Sequence, residues 1–153
     1  MDIWNTDVIA TKLAKDEIDQ KQKTMYYVAC FYLQVIGTVI PMFLLGYSYS
    51  INLFTFASYV ITVAVFHLGA LKVFRTCADH KKASVLDTLV VLGLPISIKI
   101  QIGYWLTYFL ITYILNVMQA SPYAWVVYGF ITMPIMVWLQ FQLIKRAVDK
   151  NYV

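Results

Sequence analysis

At 153 residues and 17.6 kDa, with 61% apolar and 13% charged residues and a mean hydropathy of +0.68, the chain is too oily for a soluble globule, whose usual shares are roughly 45–50% and 25%. One domain suits this length. The 12 Lys and Arg exceed the 8 Asp and Glu by four, but they flank oily segments instead of covering a domain that would hold a duplex, so no nucleic-acid partner is expected.

Residues 1–24 carry Asp7, Asp16, Glu17 and Asp19 among Lys12, Lys15, Lys21 and Lys23. Ile3, Trp4, Val8, Ala14 and Ile18 fall loosely on one helical side with Ile9 and Leu13 opposite, a weak amphipathic pattern. Thr6 or Asp7 is the expected N-cap. This is the largest expected cytoplasmic piece and a place for a protein partner or neighbouring subunit to dock; a frayed juxtamembrane helix fits the same residues. A polar segment of this length ahead of the first apolar run predicts an uncleaved first helix that acts as its own insertion signal.

Two stretches hold no Asp, Glu, Lys or Arg: the 48 residues from Thr24 to Leu71 and the 44 from Ile100 to Leu143. A spanning helix needs roughly 20 residues to cross about 30 Å of hydrocarbon, so each stretch should hold two. The expected spans are 25–46, 51–73, 97–118 and 123–144. Gly46 to Asn52 forms the first outer turn and Gln119-Ala-Ser-Pro122 the second, with Pro122 suited to a first helical turn. Basic residues cluster in 1–24, in the middle loop (Lys72, Arg75, Lys81, Lys82) and in the tail 145–153 (Lys145, Arg146, Lys150). The positive-inside rule then puts both termini in the cytoplasm of a bacterial inner-membrane protein. Cys30 and Cys77 fall at that reducing side, so no disulfide is expected. Tyr26, Tyr27, Tyr47, Tyr49, Tyr123 and Trp125 mark the membrane–water boundaries, while Trp105 lies deeper.

The third apolar segment is irregular. Ser84 to Met118 is 35 residues, about 52 Å as a straight helix. Ser84 and Asp87 have capping-box spacing, and Gly93 and Pro95 interrupt the apolar run beyond them. A short interfacial or re-entrant helix over 85–94 is expected, then the span from Ser97. Ile96 to Ile102 alternates like a strand, which lipid forbids because backbone donors would go unsatisfied. As a helix, Ser97, Gln101, Tyr104, Tyr108, Thr112 and Asn116 form one polar stripe. It packs against neighbouring helices through interhelical hydrogen bonds or lines a water-filled path.

Lys99 is the one charge well inside an apolar segment, and it either snorkels to the headgroups or serves gating or binding; Asp87 and Lys72 are its candidate partners. His67 is the intramembrane titratable group, a packed histidine or a proton relay. Gln34 with Thr38, Ser58 with Thr62, and Gln140 and Gln142 are expected to bond across helix interfaces. Pro41 and Pro134 are expected to kink their helices.

No metal or other cofactor is expected: Cys77, Asp79 and His80 lack further ligands at set spacing. Phosphate-loop, His-Glu-x-x-His and nucleophile-elbow motifs are missing from the sequence, so the chain is expected not to be an enzyme. The fold expectation is an all-α polytopic membrane protein with four transmembrane helices and a bent or re-entrant segment before the third, assembled as a homo-oligomer in the lipid bilayer. Two functions suit that architecture. One is a non-enzymatic membrane component of a sensing, exclusion or defence system (phage, conjugation or toxin) that relays to a cytoplasmic protein partner. The other is a small homo-oligomeric channel or pore lined by the stripe Ser97 to Asn116.

Overall fold

Residues 4–44, 53–79 and 84–152 are described by the structure, a computed structural model, and every regular element among them is a helix. These are α1 (Thr6–Ala14), α2 (Gln20–Leu44), α3 (Leu53–Asp79), α4 (Val85–Val91), α5 (Gly93–Val117) and α6 (Pro122–Asn151). The expected turn 46–52 and residues His80, Lys81 and Lys82 lie outside the described residues, as do the side chains of Gln34, Thr38 and Pro41. Three helical stretches are long and apolar enough to cross a bilayer: Phe56–Asp79, Val85–Val117 and Val126–Asn151. An all-helical chain with three such stretches is compatible with a multi-pass membrane protein.

Local chemistry explains most helix ends. The N-cap of α1 is Asn5, in place of the expected Thr6 or Asp7, and its side chain accepts the Val8 N–H at 3.3 Å. Asp16 closes the same helix at φ 54°. That left-handed residue lets Glu17 N–H donate to the Lys12 carbonyl at 2.9 Å and Asp16 N–H to the Leu13 carbonyl at 3.1 Å. Gln119, at φ 49°, closes α5 in the same way through Ala120 N–H to Leu115 at 2.9 Å. Ser121 caps α6 by accepting the Tyr123 N–H at 3.4 Å, and α6 continues through Pro134.

The break expected before residue 97 is shorter than the sequence suggests. α4 and α5 are separated by Leu92 alone, which keeps helical dihedrals of −83° and −27°. Ser84 caps α4, accepting the Asp87 N–H at 3.4 Å. Pro95 falls in the first turn of α5, where a missing N–H removes no intrahelical bond. The helix that holds the expected span thus starts at Gly93, four residues before Ser97. Likewise α3 runs past the expected end at Val73 to Asp79, and α6 past Ile144 to Asn151.

Those extensions build the core. Buried residues come from α1 (Ile9, Ala10, Leu13), the last turns of α3 (Val73, Thr76, Cys77), the α4–α5 junction (Val91 to Ile96) and the end of α6 (Ile144, Ala147, Val148). All of these sit at one end of the molecule, where α1 folds back over the others. Toward the opposite end α6 packs between α3 and α5, while α2 lies against α4 and α5. At Gly69 of α3 the missing Cβ leaves room for the Phe141 ring of α6. Phe66 stacks edge-on against that ring at 5.2 Å between centroids.

Candidate functional site

The most constructed region is the charged end, where α1 is held to the spans by polar ties over a buried face. Ile9, Ala10 and Leu13 are the face that α1 buries. This corrects the expected apolar side: Trp4 is 68% exposed and Val8 is exposed as well, while Ile9 and Leu13, assigned to the opposite side, enter the core. Burying Ile9 and Leu13 stabilises the docked helix by roughly 1.5–3 kcal/mol each.

Three side-chain contacts join α1 to α5 and α6. Lys99 Nζ donates to Thr6 Oγ1 at 2.7 Å. Thr11 Oγ1 donates to Asn151 Oδ1 at 2.9 Å, an amide oriented by its own Nδ2 donating to the Ala147 carbonyl at 2.8 Å. Lys150 Nζ donates to Asp7 Oδ2 at 2.6 Å. The first two ties are short and directional, and the third is solvated on both sides and correspondingly weak.

A fourth tie crosses from α2 to α4. Lys23 Nζ lies 2.8 Å from Asp87 Oδ2, with the lysine side chain 15% exposed. The hydrogen bond to Asp87 holds the Lys23 ammonium above its ordinary range, against the opposing effect of burial. Asp16 is a more distant second partner at 3.6 Å. Beneath this pair Thr88 is fully buried, with Cys77 Sγ donating to its hydroxyl at 3.8 Å. Tyr152 also reaches Thr88, and burial pushes its phenol up.

The predicted charged group is therefore not one cluster. Lys99 binds Thr6, Asp87 binds Lys23, and Lys72 reaches Gln142 Oε1 at 3.4 Å. Neither Asp87 nor Lys72 partners Lys99: α1 supplies Thr6 to Lys99, α2 supplies Lys23 to Asp87, and α6 supplies Gln142 to Lys72. Every charged side chain among the described residues lies in α1, in the turn after it, in α4, or at this same end of a longer helix. The ties between α1 and the end of α6 bring those two helix ends together there.

The polar stripe divides along its length. Ser97 accepts from Gln140 Nε2 of α6 at 2.8 Å. Tyr104 and Tyr108 stack at 6.0 Å, and Tyr108 faces Tyr128 of α6 at 6.3 Å. The Tyr128 hydroxyl is buried and has no hydrogen-bond partner among the described residues. Thr112 turns its hydroxyl onto its own helix, donating to the Tyr108 carbonyl at 2.7 Å. Gln101 is half-buried and Asn116 is exposed. On α3, His67 is exposed. Thr62 donates back to the Ser58 carbonyl at 2.7 Å, within its own helix, where a bond across helices was expected.

No family model matches this chain, and neither a curated protein nor a solved structure is found to be similar to it. Function is thus argued from its residues and geometry. Among the described residues no three His, Cys, Asp or Glu side chains come close enough to share a metal ion. What the charged end does offer is mechanical: a short helix whose position depends on side chains of α5 and α6. Thr6, Thr11 and Asn151 give no sign in the sequence of being partners, because single polar residues at helix ends carry no periodic signal. The one available hint is Lys99, which has to find an acceptor close to the membrane boundary.

Proposed function

We propose that this chain is a non-enzymatic, four-span component of a bacterial inner membrane, with both termini cytoplasmic, in a sensing or exclusion system in which α1 is the relay. In this proposal α2 is the remaining span beside the three apolar stretches, and α4 lies at the inner boundary. The carrying observation is the docking of α1 on the inner ends of α5 and α6 through Lys99–Thr6 and Thr11–Asn151. A change in how those helices pack within lipid alters the seat of α1, and a cytoplasmic partner responds to whether α1 is docked. A homo-oligomer belongs to the same proposal, supported by His67: it is near the middle of α3 and exposed, an expensive position against lipid alone that a second copy would cover.

The channel alternative has less support. Two of the stripe residues proposed as its wall, Ser97 and Tyr108, are engaged with α6 of the same chain. The deciding experiment is hydrogen exchange on protein in lipid nanodiscs, paired with planar-bilayer recording. Loosening the α5–α6 contact by Tyr108→Ala should raise amide exchange in residues 8–14, and no conductance should appear. Unchanged α1 exchange sinks the relay. A conductance that varies with Gln101→Ala or Asn116→Ala transfers the function to the channel, and a monomeric mass in mild detergent removes the oligomer.

A further inference from the structure

Between α1 and the first turns of α2 lies a cavity of about 430 Å³. Its polar wall is Lys12 and Lys21, with Asp19 beside them, and its apolar wall includes Val8, Met25 and Tyr26. Asp19 is already occupied, accepting the Gln22 N–H at 2.6 Å as the cap of α2. Neither Lys12 nor Lys21 makes an ion pair or side-chain hydrogen bond among the described residues. Two ammonium groups against one carboxylate leave the cavity with an excess positive charge.

A second feature says what kind of anion fits. Met25, at the cavity wall, is succeeded on the same helical face by Val28 and Tyr32, at intervals of three and seven residues. All three are exposed, at 55%, 42% and 60%. An apolar track thus leaves the cationic cavity and runs along α2. A cationic recess opening onto such a track matches an amphiphile with an anionic head and a hydrocarbon tail, whereas a free phosphate would use the head site alone.

We infer that the α1–α2 cavity seats the phosphate of one anionic phospholipid between Lys12 and Lys21, with an acyl chain along Met25, Val28 and Tyr32. Basic pockets at the cytoplasmic edge of spanning helices recognise such headgroups, and a single lysine at an anionic surface contributes roughly five- to sixfold in affinity. The cavity uses α1 as one wall, so an occupied site holds α1 against α2. The inference rests on α2 entering the bilayer near Met25, which is part of the topology proposed above.

Native mass spectrometry of the detergent-solubilised full chain tests it, with phosphatidylglycerol, phosphatidylcholine or glycerol phosphate titrated separately. One phosphatidylglycerol per protomer should be retained at least tenfold more tightly than phosphatidylcholine, and glycerol phosphate should not be retained. Lys12→Gln with Lys21→Gln should weaken phosphatidylglycerol about thirty-fold, while Lys12→Arg with Lys21→Arg keeps it. Equal retention of the two lipids overturns the site without reference to any variant, and so does an unaffected glutamine pair. Retention of glycerol phosphate as strong as that of the lipid overturns the lipid as its source. The topology is read separately by maleimide labelling of Phe31→Cys, in a Cys30→Ser and Cys77→Ser background, in vesicles. Labelling from water there would sink the span, whereas lost lipid selectivity with no labelling sinks the site alone.

Discussion

The two ends of this molecule are packed by different rules. At the charged end Val91, Leu92 and Val148 are completely buried, and all six helices contribute to one core. At the other end Phe109, Tyr113, Met118 and Tyr123, all large and largely hydrophobic, are 62–76% exposed. Water explains the contrast. Where the chain meets water, hiding apolar side chains is strongly favourable, whereas between spans lipid solvates them as well as another helix would. Contact within the spans must then come from shape, as at Gly69 and Phe141, or from polar pairs such as Gln140 with Ser97. Hence α1, though short, belongs to the best-packed part of the protein.

The contrast is tested hardest at the close fit within the spans. Gly69→Ala drives a Cβ into the Phe141 ring and should cost about 2–3 kcal/mol, measured as a lowered Tm in detergent. Shrinking the partner in Gly69→Ala with Phe141→Leu should recover part of that loss, a non-additivity expected of residues in contact. An additive pair would mean the seam is not set by this contact.

An effect of similar size is expected in the core of the charged end. Ile9→Ala should cost about 2–3 kcal/mol and raise hydrogen exchange across α1, while Val8→Ala, one residue away but exposed, should stay within about 0.5 kcal/mol. Equal effects would show that α1 is not docked on the face described. Breaking the Lys23–Asp87 pair by Lys23→Met should cost about 1–2 kcal/mol, between the values for exposed and buried pairs. The pair also has a pH signature. Because the folded protein holds the Lys23 ammonium above its ordinary value of 10.5, the stabilisation is fully present below that pH and is lost as pH rises through the folded value. Thermal melts of wild type and Lys23→Met should therefore converge in strong alkali and differ by a constant amount from pH 7 to 9. The smallest effect should come from Gln119→Gly, which relieves a left-handed residue at φ 49° and should stabilise by about 0.5–1 kcal/mol; a loss of stability would contradict that helix end.

Much of the architecture is legible in the chain itself. Charge-free stretches of hydrophobic residues predict long helices, Pro122 and Ser121 announce the start of α6, and Ser84 announces α4. The N-terminal helix is harder: Asn5, Thr6 and Asp7 are all capable caps, and the backbone selects among them only once α1 has found its seat. Its buried face is hard to read for a related reason. A nine-residue helix has little more than two turns over which to show a period, so a few apolar residues define two sides almost equally well. Pro95 looks like a breaker in sequence and becomes a first-turn residue because the core closes on Leu92.

The solvent of each segment is written in the amino-acid order: the spacing of the cations and the length of the oily runs commit long helices to lipid, since hydration of charge and satisfaction of backbone hydrogen bonds are local requirements. Partnership is settled in three dimensions. Lys99 goes to Thr6, Lys23 to Asp87 and Asn151 to Thr11. Pairings such as these depend on which helix ends arrive together in space, and distances of that kind are set by the packing of the whole chain.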